Sequence, residues 1–430
     1  SYKKAIEFKP DYAEAYHNLG NTLFELKRFN DAEKNLKKTI ELKPDFFEGH
    51  FGLSNFFYHI GKFKESAEGY RHLTILKPNH VGAHNNLGNA LYSLGKMEEA
   101  RIVFLKALEL KPDHAESHNN LGCILYALGK FDDAAKCYQK AIELKPDYID
   151  ALYDFAVVQH TLKQYKKASD MFKSINHKSS QSYLLKCWYE LNDQSNFIKQ
   201  LEKMLDQGQN NSVIGSLISR SNVRYGLHKQ NPFCNEPLNY VLKTDLTKQC
   251  DFDNIFIQAA KNILNDDATF CRTQSLLING TQTSGNLFSQ ENDLIEKMKN
   301  IIHLELEKYF THFKDSQEGF IKNWPKSYAV KGWLINMKSG GKLSPHIHEE
   351  SWISGSIYIN VPQKKTVDSG NLVVCIDDKE DEADPNKNPK KSIDVVTGSI
   401  CLFPSSLLHY TIPFEADEER TVLAFDVIPK

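Results

Sequence analysis

Near the C-terminus, Ser344-Pro-His346-Ile-His348-Glu349-Glu350 places two histidines one residue apart. A third, His409, closes Phe403-Pro-Ser-Ser-Leu-Leu-His409, and Arg420 follows eleven residues later. Neutral imidazole is a good ligand for iron, zinc, copper or nickel. On a strand, residues two apart face the same side. His346 and His348 would therefore point together, with Glu350 next in line, and His409 is the best-placed further ligand. A guanidinium on a neighbouring strand pairs bidentately with carboxylates. The chemistry these residues predict is a metal site beside a carboxylate-binding cation. Each residue alone also has an ordinary reading: a surface histidine pair, a hydrogen-bonded core histidine, an exposed ion pair at Arg420, a core tyrosine at Tyr358.

Short β-branched runs surround these residues: 328–337, 343–348, 353–361, 371–376, 392–396, 399–404, 409–413 and 421–427. Strands separated by glycine, proline or charge clusters predict a jelly roll or small barrel. The polar tract 377–391 reads as a solvated loop, with a lid over the barrel mouth as the lesser reading. Upstream, helices are expected over 183–206, 252–264 and 289–313.

The N-terminal part is periodic. Pro10, Pro44, Pro78, Pro112 and Pro146 recur every 34 residues, each in Lys-Pro-Asp or Lys-Pro-Asn. Proline stops one helix, and Asp11, Asp45, Asn79, Asp113 and Asp147 are expected to cap the next. Glu14, Glu48 and Glu116 complete capping-box patterns. Small residues (Gly20, Ser54, Gly88, Gly122, Ala156) recur opposite bulky ones (Leu36, Tyr70, Phe104, Tyr138, Phe172), as close helix–helix packing requires. This spacing resembles the tetratricopeptide repeat over residues 1 to about 180. The resemblance implies an α-solenoid with a concave face. Asn18, Asn86 and Asn120, interrupted by Gly52 and Asp154, resemble the asparagine ladders that hold an extended peptide by its backbone. A merely solvated polar face is the alternative.

The C-terminal motifs resemble the Fe(II)- and 2-oxoglutarate-dependent oxygenases, in the subgroup reading H-x-H, S-G-x-x-Y, F-P-S-x-x-x-H and R. Here these are His346-Ile-His348, Ser354-Gly-Ser-Ile-Tyr358, Phe403 to His409, and Arg420. By resemblance His346 and His409 are iron ligands. Arg420 holds the far carboxylate of 2-oxoglutarate, with Tyr358 as its hydroxyl partner. The usual middle ligand is a carboxylate, and here it is His348. Three readings stay open: His348 ligates, His348 and Glu350 ligate in a shifted register, or His348 stands behind the metal.

The expected architecture is therefore multidomain, α and α+β. A tetratricopeptide solenoid (1–180) precedes a helical cap or linker (181–232) and a double-stranded β-helix oxygenase-like domain with packed helices (233–430). The expected function is hydroxylation of a substrate, protein or peptide, held by the repeats. The alternatives are a binding scaffold with a degenerate oxygenase domain, and a three-histidine cupin-like dioxygenase that does not use 2-oxoglutarate.

Composition narrows the rest. With 53 basic and 55 acidic residues the formal net charge is −2, so no global field favours nucleic acid or an anionic membrane. Eight cysteines without a C-x-x-C pair fit a reducing compartment, and a cytoplasmic location is expected. No apolar run reaches membrane-spanning length. The start inside a half-finished repeat suggests a fragment of a longer chain.

Overall fold

The structure is a computed structural model that describes residues 2–175, 177, 179–266, 271–272, 276–290, 292–378 and 388–430. It divides into two compact units, Ser1–Leu162 and Lys163–Lys430.

Helix pairs build the first unit. Ala13–Glu25 packs with Phe29–Leu42, and the pattern repeats through Phe47–His59 and Phe63–Leu76, then Val81–Ser93 and Met97–Leu110, then Ala115–Ala127 and Phe131–Leu144. The expected small positions are where helices touch. A Cβ on Gly88 would come within 2.6 Å of the Phe104 ring, and one on Gly122 within 2.7 Å of the Tyr138 ring. Only a hydrogen leaves room there.

The caps differ from expectation. The residue preceding each helix is Tyr12, Phe46, His80, His114 or Tyr148, one position beyond the predicted Asp or Asn. The imidazoles of His80 and His114 accept the capping bonds from Ala83 N and Ser117 N. The chain needs one extra residue to turn after the proline, so the acid falls in the turn. Glu14, Glu48 and Glu116 instead face Lys43, Lys77 and Lys145 at 3.0, 3.8 and 3.9 Å.

The second unit begins with helices Tyr165–Ser174, Ser180–Glu190, Gln194–Asp206 and Ser212–Tyr225. Ten strands follow among the described residues: β1 (Leu242–Asp245), β2 (Cys271–Arg272), β3 (Leu277–Thr283), β4 (Tyr328–Leu343), β5 (Ile353–Asn360), β6 (Leu372–Cys375), β7 (Lys390–Ile393), β8 (Ser399–Pro404), β9 (Leu408–Thr411) and β10 (Arg420–Pro429). They form a sheet in the order β1-β8-β5-β10-β4-β3-β2 and a smaller one in the order β7-β6-β9. All pairings among the described residues are antiparallel. The expected strand over 343–348 is not formed. β4 runs on to Leu343, and His346 then makes an isolated bridge with His409.

Alternation on the central strands separates two cores. Val330, Leu334, Ile353, Ile357, Leu423 and Phe425 pack outward on Met298, Ile302, Leu306 and Tyr309 of helix Asp293–Phe313. Ile335, Met337, Tyr358 and Val422 point inward to meet Leu372 and Val374 of the smaller sheet. The cavity opens on that inward face.

The tract 377–391 departs from its reading at its described start. Asp377 is buried rather than solvated, held by Tyr189 Oη at 2.5 Å and Arg220 Nε at 3.2 Å. Residues 379–387, and with them the suggested lid, lie outside the described residues.

Candidate metal centre

The segment after β4 and strand β9 lie side by side, joined by His346 N–His409 O at 3.2 Å and His409 N–His346 O at 3.0 Å. That reciprocal pair brings two histidines together, with ring centroids 4.3 Å apart and the rings tilted by 47°. The His348 ring is 5.1 Å from His346 and 4.9 Å from His409. One nitrogen from each of the three lies within 4.8 Å of the others, the one such cluster among the described residues.

Hydrogen bonds fix which nitrogens face inward. His346 Nδ1 lies 2.8 Å from Ser344 O and His409 Nδ1 3.4 Å from Leu407 O. His348 Nδ1 lies 2.5 Å from Asp426 Oδ1. Carbonyl and carboxylate oxygens only accept, so each Nδ1 carries the proton and each Nε2 presents a lone pair. The Nε2 atoms of His346 and His348 approach to 3.1 Å. Two facing lone pairs repel unless a cation lies between them, so the donor set fits a metal ion.

Electrostatics agree. Burial, then the neighbouring His348, pushes His346 down to about 4. Burial and the same neighbours hold His409 well below the ordinary histidine range. Both are therefore neutral near pH 7, the state a metal ligand needs. Trp333 stacks on His348 at 5.6 Å and Phe403 meets His409 edge-on at 4.9 Å, closing the sides of the cluster to water.

Glu350, the alternative ligand, has 80% of its side chain exposed and lies 3.9 Å from Lys331. It is not part of the cluster. The next residue back is tied down: Lys186 reaches Glu349 at 2.5 Å, and Ser212 Oγ donates to Glu349 O at 2.9 Å. Helices Ser180–Glu190 and Ser212–Tyr225 thus grip the turn that follows the histidines.

A cavity of about 400 Å³ runs from the histidines along the inner faces of β4, β5 and β10. Arg420, Val422, Ala424 and Asp426 line it from β10 in strict alternation. Arg420 is 1% exposed. Its Nη1 donates to Gly370 O, while Nε and Nη2 have no hydrogen-bond partner among the described residues. Burial lowers its pKa, and the Tyr358 phenol beside it opposes that. The guanidinium lies 5.2 Å from the Tyr358 ring centroid, and the Tyr358 hydroxyl receives a bond from Ser356 at 3.2 Å. A buried cation with two unused donors costs free energy, so the end of the cavity fits a carboxylate. Gly370 makes the arrangement possible. Its φ is +72°, and a Cβ there would fall 2.5 Å from Arg420 Nη1.

The predicted residues His346, His348, His409, Arg420 and Tyr358 all line this one cavity. Asp426, which accepts from Ser354 Oγ at 3.3 Å, that hydroxyl in turn lying 2.8 Å from Ser405 Oγ, was not foreseen. Counting by twos from Arg420 would have put it on the same face.

Asn18, Asn86 and Asn120 belong to the first unit. Asn86 Nδ2 reaches Asn55 Oδ1 at 3.4 Å and Tyr70 Oη at 3.3 Å, and Asn120 Nδ2 donates to Asn85 Oδ1 at 3.1 Å. These amides link neighbouring repeats, whereas Asn18 is exposed. Gly52 interrupts the row because His17 fills its place, 2.7 Å from where a Cβ would stand.

Among the described residues no helix is long and apolar enough to cross a membrane, and all eight cysteines are free thiols.

Residues 331–426 match the family described as "Putative 2OG-Fe(II) oxygenase", and residues 13–46, 81–147 and 125–186 match three tetratricopeptide-repeat families. No curated protein matches the chain. Similar solved structures include PilF of Pseudomonas aeruginosa, at 21% identity and a TM-score of 0.40, covering 45% of this chain and 90% of that one. Another is a tetratricopeptide-repeat protein of Parabacteroides merdae, at 14% identity and a TM-score of 0.43, covering 50% and 87%. Tetratricopeptide-repeat families thus match the N-terminal part and the "Putative 2OG-Fe(II) oxygenase" domain matches residues 331–426, with the three clustered histidines inside that segment.

Proposed function

We propose that this protein is an Fe(II)- and 2-oxoglutarate-dependent oxygenase that hydroxylates a protein or peptide held by its repeats, with His346, His348 and His409 as the metal ligands. Iron with 2-oxoglutarate supplies the oxidising power for inserting oxygen into a C–H bond as the oxo acid loses CO₂ to become succinate. The chain does the rest by placement. The three Nε2 atoms hold the ion, and Asp426 keeps the proton on His348 Nδ1. Arg420 neutralises the cosubstrate's far carboxylate, with Tyr358 at its side. Trp333 and Phe403 keep water from the flanks. Glu350 is too exposed to compete with His348.

The observation that carries the reading is the pairing, in one cavity, of three inward-facing lone pairs with a buried guanidinium that has two unused donors. The all-histidine donor set also suits a dioxygenase that needs no 2-oxoglutarate, and Arg420 is what favours the cosubstrate. Anaerobically purified protein should carry iron and release succinate when 2-oxoglutarate and oxygen are added. Full turnover by His409→Ala would refute the ligand assignment. Arg420→Ala should abolish succinate release, and unchanged oxygen consumption in that variant would favour the cosubstrate-free enzyme. A protein with no iron and no turnover would be a scaffold.

A further inference from the structure

In the first unit the first helix of each repeat carries no cation, whereas the second helices mix both signs of charge. The first helices of the five repeats, Ala13–Glu25, Phe47–His59, Val81–Ser93, Ala115–Ala127 and Ile149–Thr161, contain no lysine or arginine. They carry Glu14, Glu25, Glu48, Glu116, Asp150 and Asp154. The second helices hold the cations, among them Lys34, Lys37, Arg71, Arg101 and Lys140.

Lys43, Lys77 and Lys145 neutralise three of those acids at the repeat edges. Glu25, Asp150 and Asp154 have no ion-pair partner among the described residues. Asp150 and Asp154 stand one helical turn apart, where like charges repel. Asp154 is half-buried, with only the weak donor Cys123 Sγ at 3.5 Å. Burial, aided by Asp150, raises it to about 6.

The same face is hollow. A cavity of about 660 Å³ lies between the first two of these helices, walled by Phe24 and Phe51, Asn21 and Asn55, and Glu25 and Glu48. Asp154 occupies, three repeats on, the position that Gly52 holds in this wall. Aromatic faces and carboxylates together suit a cation: the ring quadrupole and the negative charge attract the same group. A lysine or arginine stem also covers the phenyl surface while its head stays polar.

We infer that the face formed by the first helices is a docking surface for an extended peptide bearing lysine or arginine, with basic side chains at Glu25 and at Asp154 and apolar ones between Phe24 and Phe51. This rests on the reading that the repeats hold the substrate, and it names that substrate's charge.

The test uses the full chain and a fluorescein-labelled peptide of Gly-Leu-Lys repeats, with versions in which lysine is replaced by glutamine or by glutamate. Anisotropy should show the lysine peptide binding about tenfold or more tighter than the glutamine one, with the gap narrowing as salt rises. Glu25→Gln and Asp154→Asn should each weaken the lysine peptide about threefold or more and leave the glutamine peptide unchanged. Both changes keep size, and Glu25 is exposed, so at least one variant reports on a folded chain. Equal binding of the three peptides would overturn the inference. So would an equal loss on neutralising Asp132 and Asp133 of a second helix, which would mean unspecific attraction. Iron content and succinate release, measured on the same samples, report on the oxygenase reading separately.

Discussion

At His348 the second ring nitrogen decides what the first can do. Asp426 accepts the Nδ1–H hydrogen bond at 2.5 Å, which fixes both tautomer and ring orientation. The carboxylate absent from the ligand set is thus present one atom layer further out. Asp426→Asn should lower metal affinity about 10- to 100-fold without unfolding the protein; Co(II) titration followed by absorbance measures it. Wild-type affinity would remove Asp426 from this role. The half-buried His346 and the buried His409 make a second prediction. His346, held at about 4, and His409, lower still, stay neutral in the folded state while free histidine titrates near 6.5. Between those values the unfolded chain takes up protons that the folded chain does not. Stability of the metal-free protein should therefore fall as pH drops from about 6.5 towards 4, by on the order of 3 kcal/mol from His346 alone. Urea midpoints across that range should show a shallower slope in His346→Asn, and an unchanged slope would contradict the assignment.

The helix Ser212–Tyr225 is more than a spacer between repeats and sheets. Its Ser212 holds Glu349 O, and its Arg220 holds Asp377, which is 3% exposed. Burial raises the Asp377 carboxyl, but Arg220 and the Tyr189 hydroxyl outweigh that and keep it below its usual range. Removing one member of a buried pair leaves the other uncompensated. Arg220→Ala should cost about 3–5 kcal/mol in chemical denaturation, and a loss under about 1 kcal/mol would mean the pair is solvated. Among the repeats, Gly88→Ala drives a methyl into Phe104 and should cost about 1–3 kcal/mol by overpacking. The periodicity made Gly88 and Gly122 legible, because the same small–large pair recurs every 34 residues. Arg220 and Asp377 gave no such signal. They are 157 residues apart in sequence, and a charge run reads as solvated until the fold buries one end.

For the whole molecule, the two units have separate cores, and the proposed metal belongs to only one. A ligand that binds only the folded form stabilises it by RT ln(1 + [L]/Kd), about 2.7 kcal/mol at a hundredfold excess over Kd. Calorimetry should therefore show one transition that chelator shifts downward and another that it leaves in place. If both move together, the units unfold as one.

What the sequence determined by itself was whatever repeats or alternates. The solenoid follows from the 34-residue period. His346, His348, His409 and Arg420 stood out because their spacing is unusual together. The helix starts moved by one residue, since the turn after each proline takes an extra residue that composition does not reveal. The histidine segment proved to be a bridge rather than a strand, and its pairing with β9 is what brings His346 to His409. Asp426 behind His348, Gly370 beneath Arg420 and the two unused guanidinium donors were decided only by tertiary structure. Each depends on which distant backbone lies alongside, and local propensity carries no information about that.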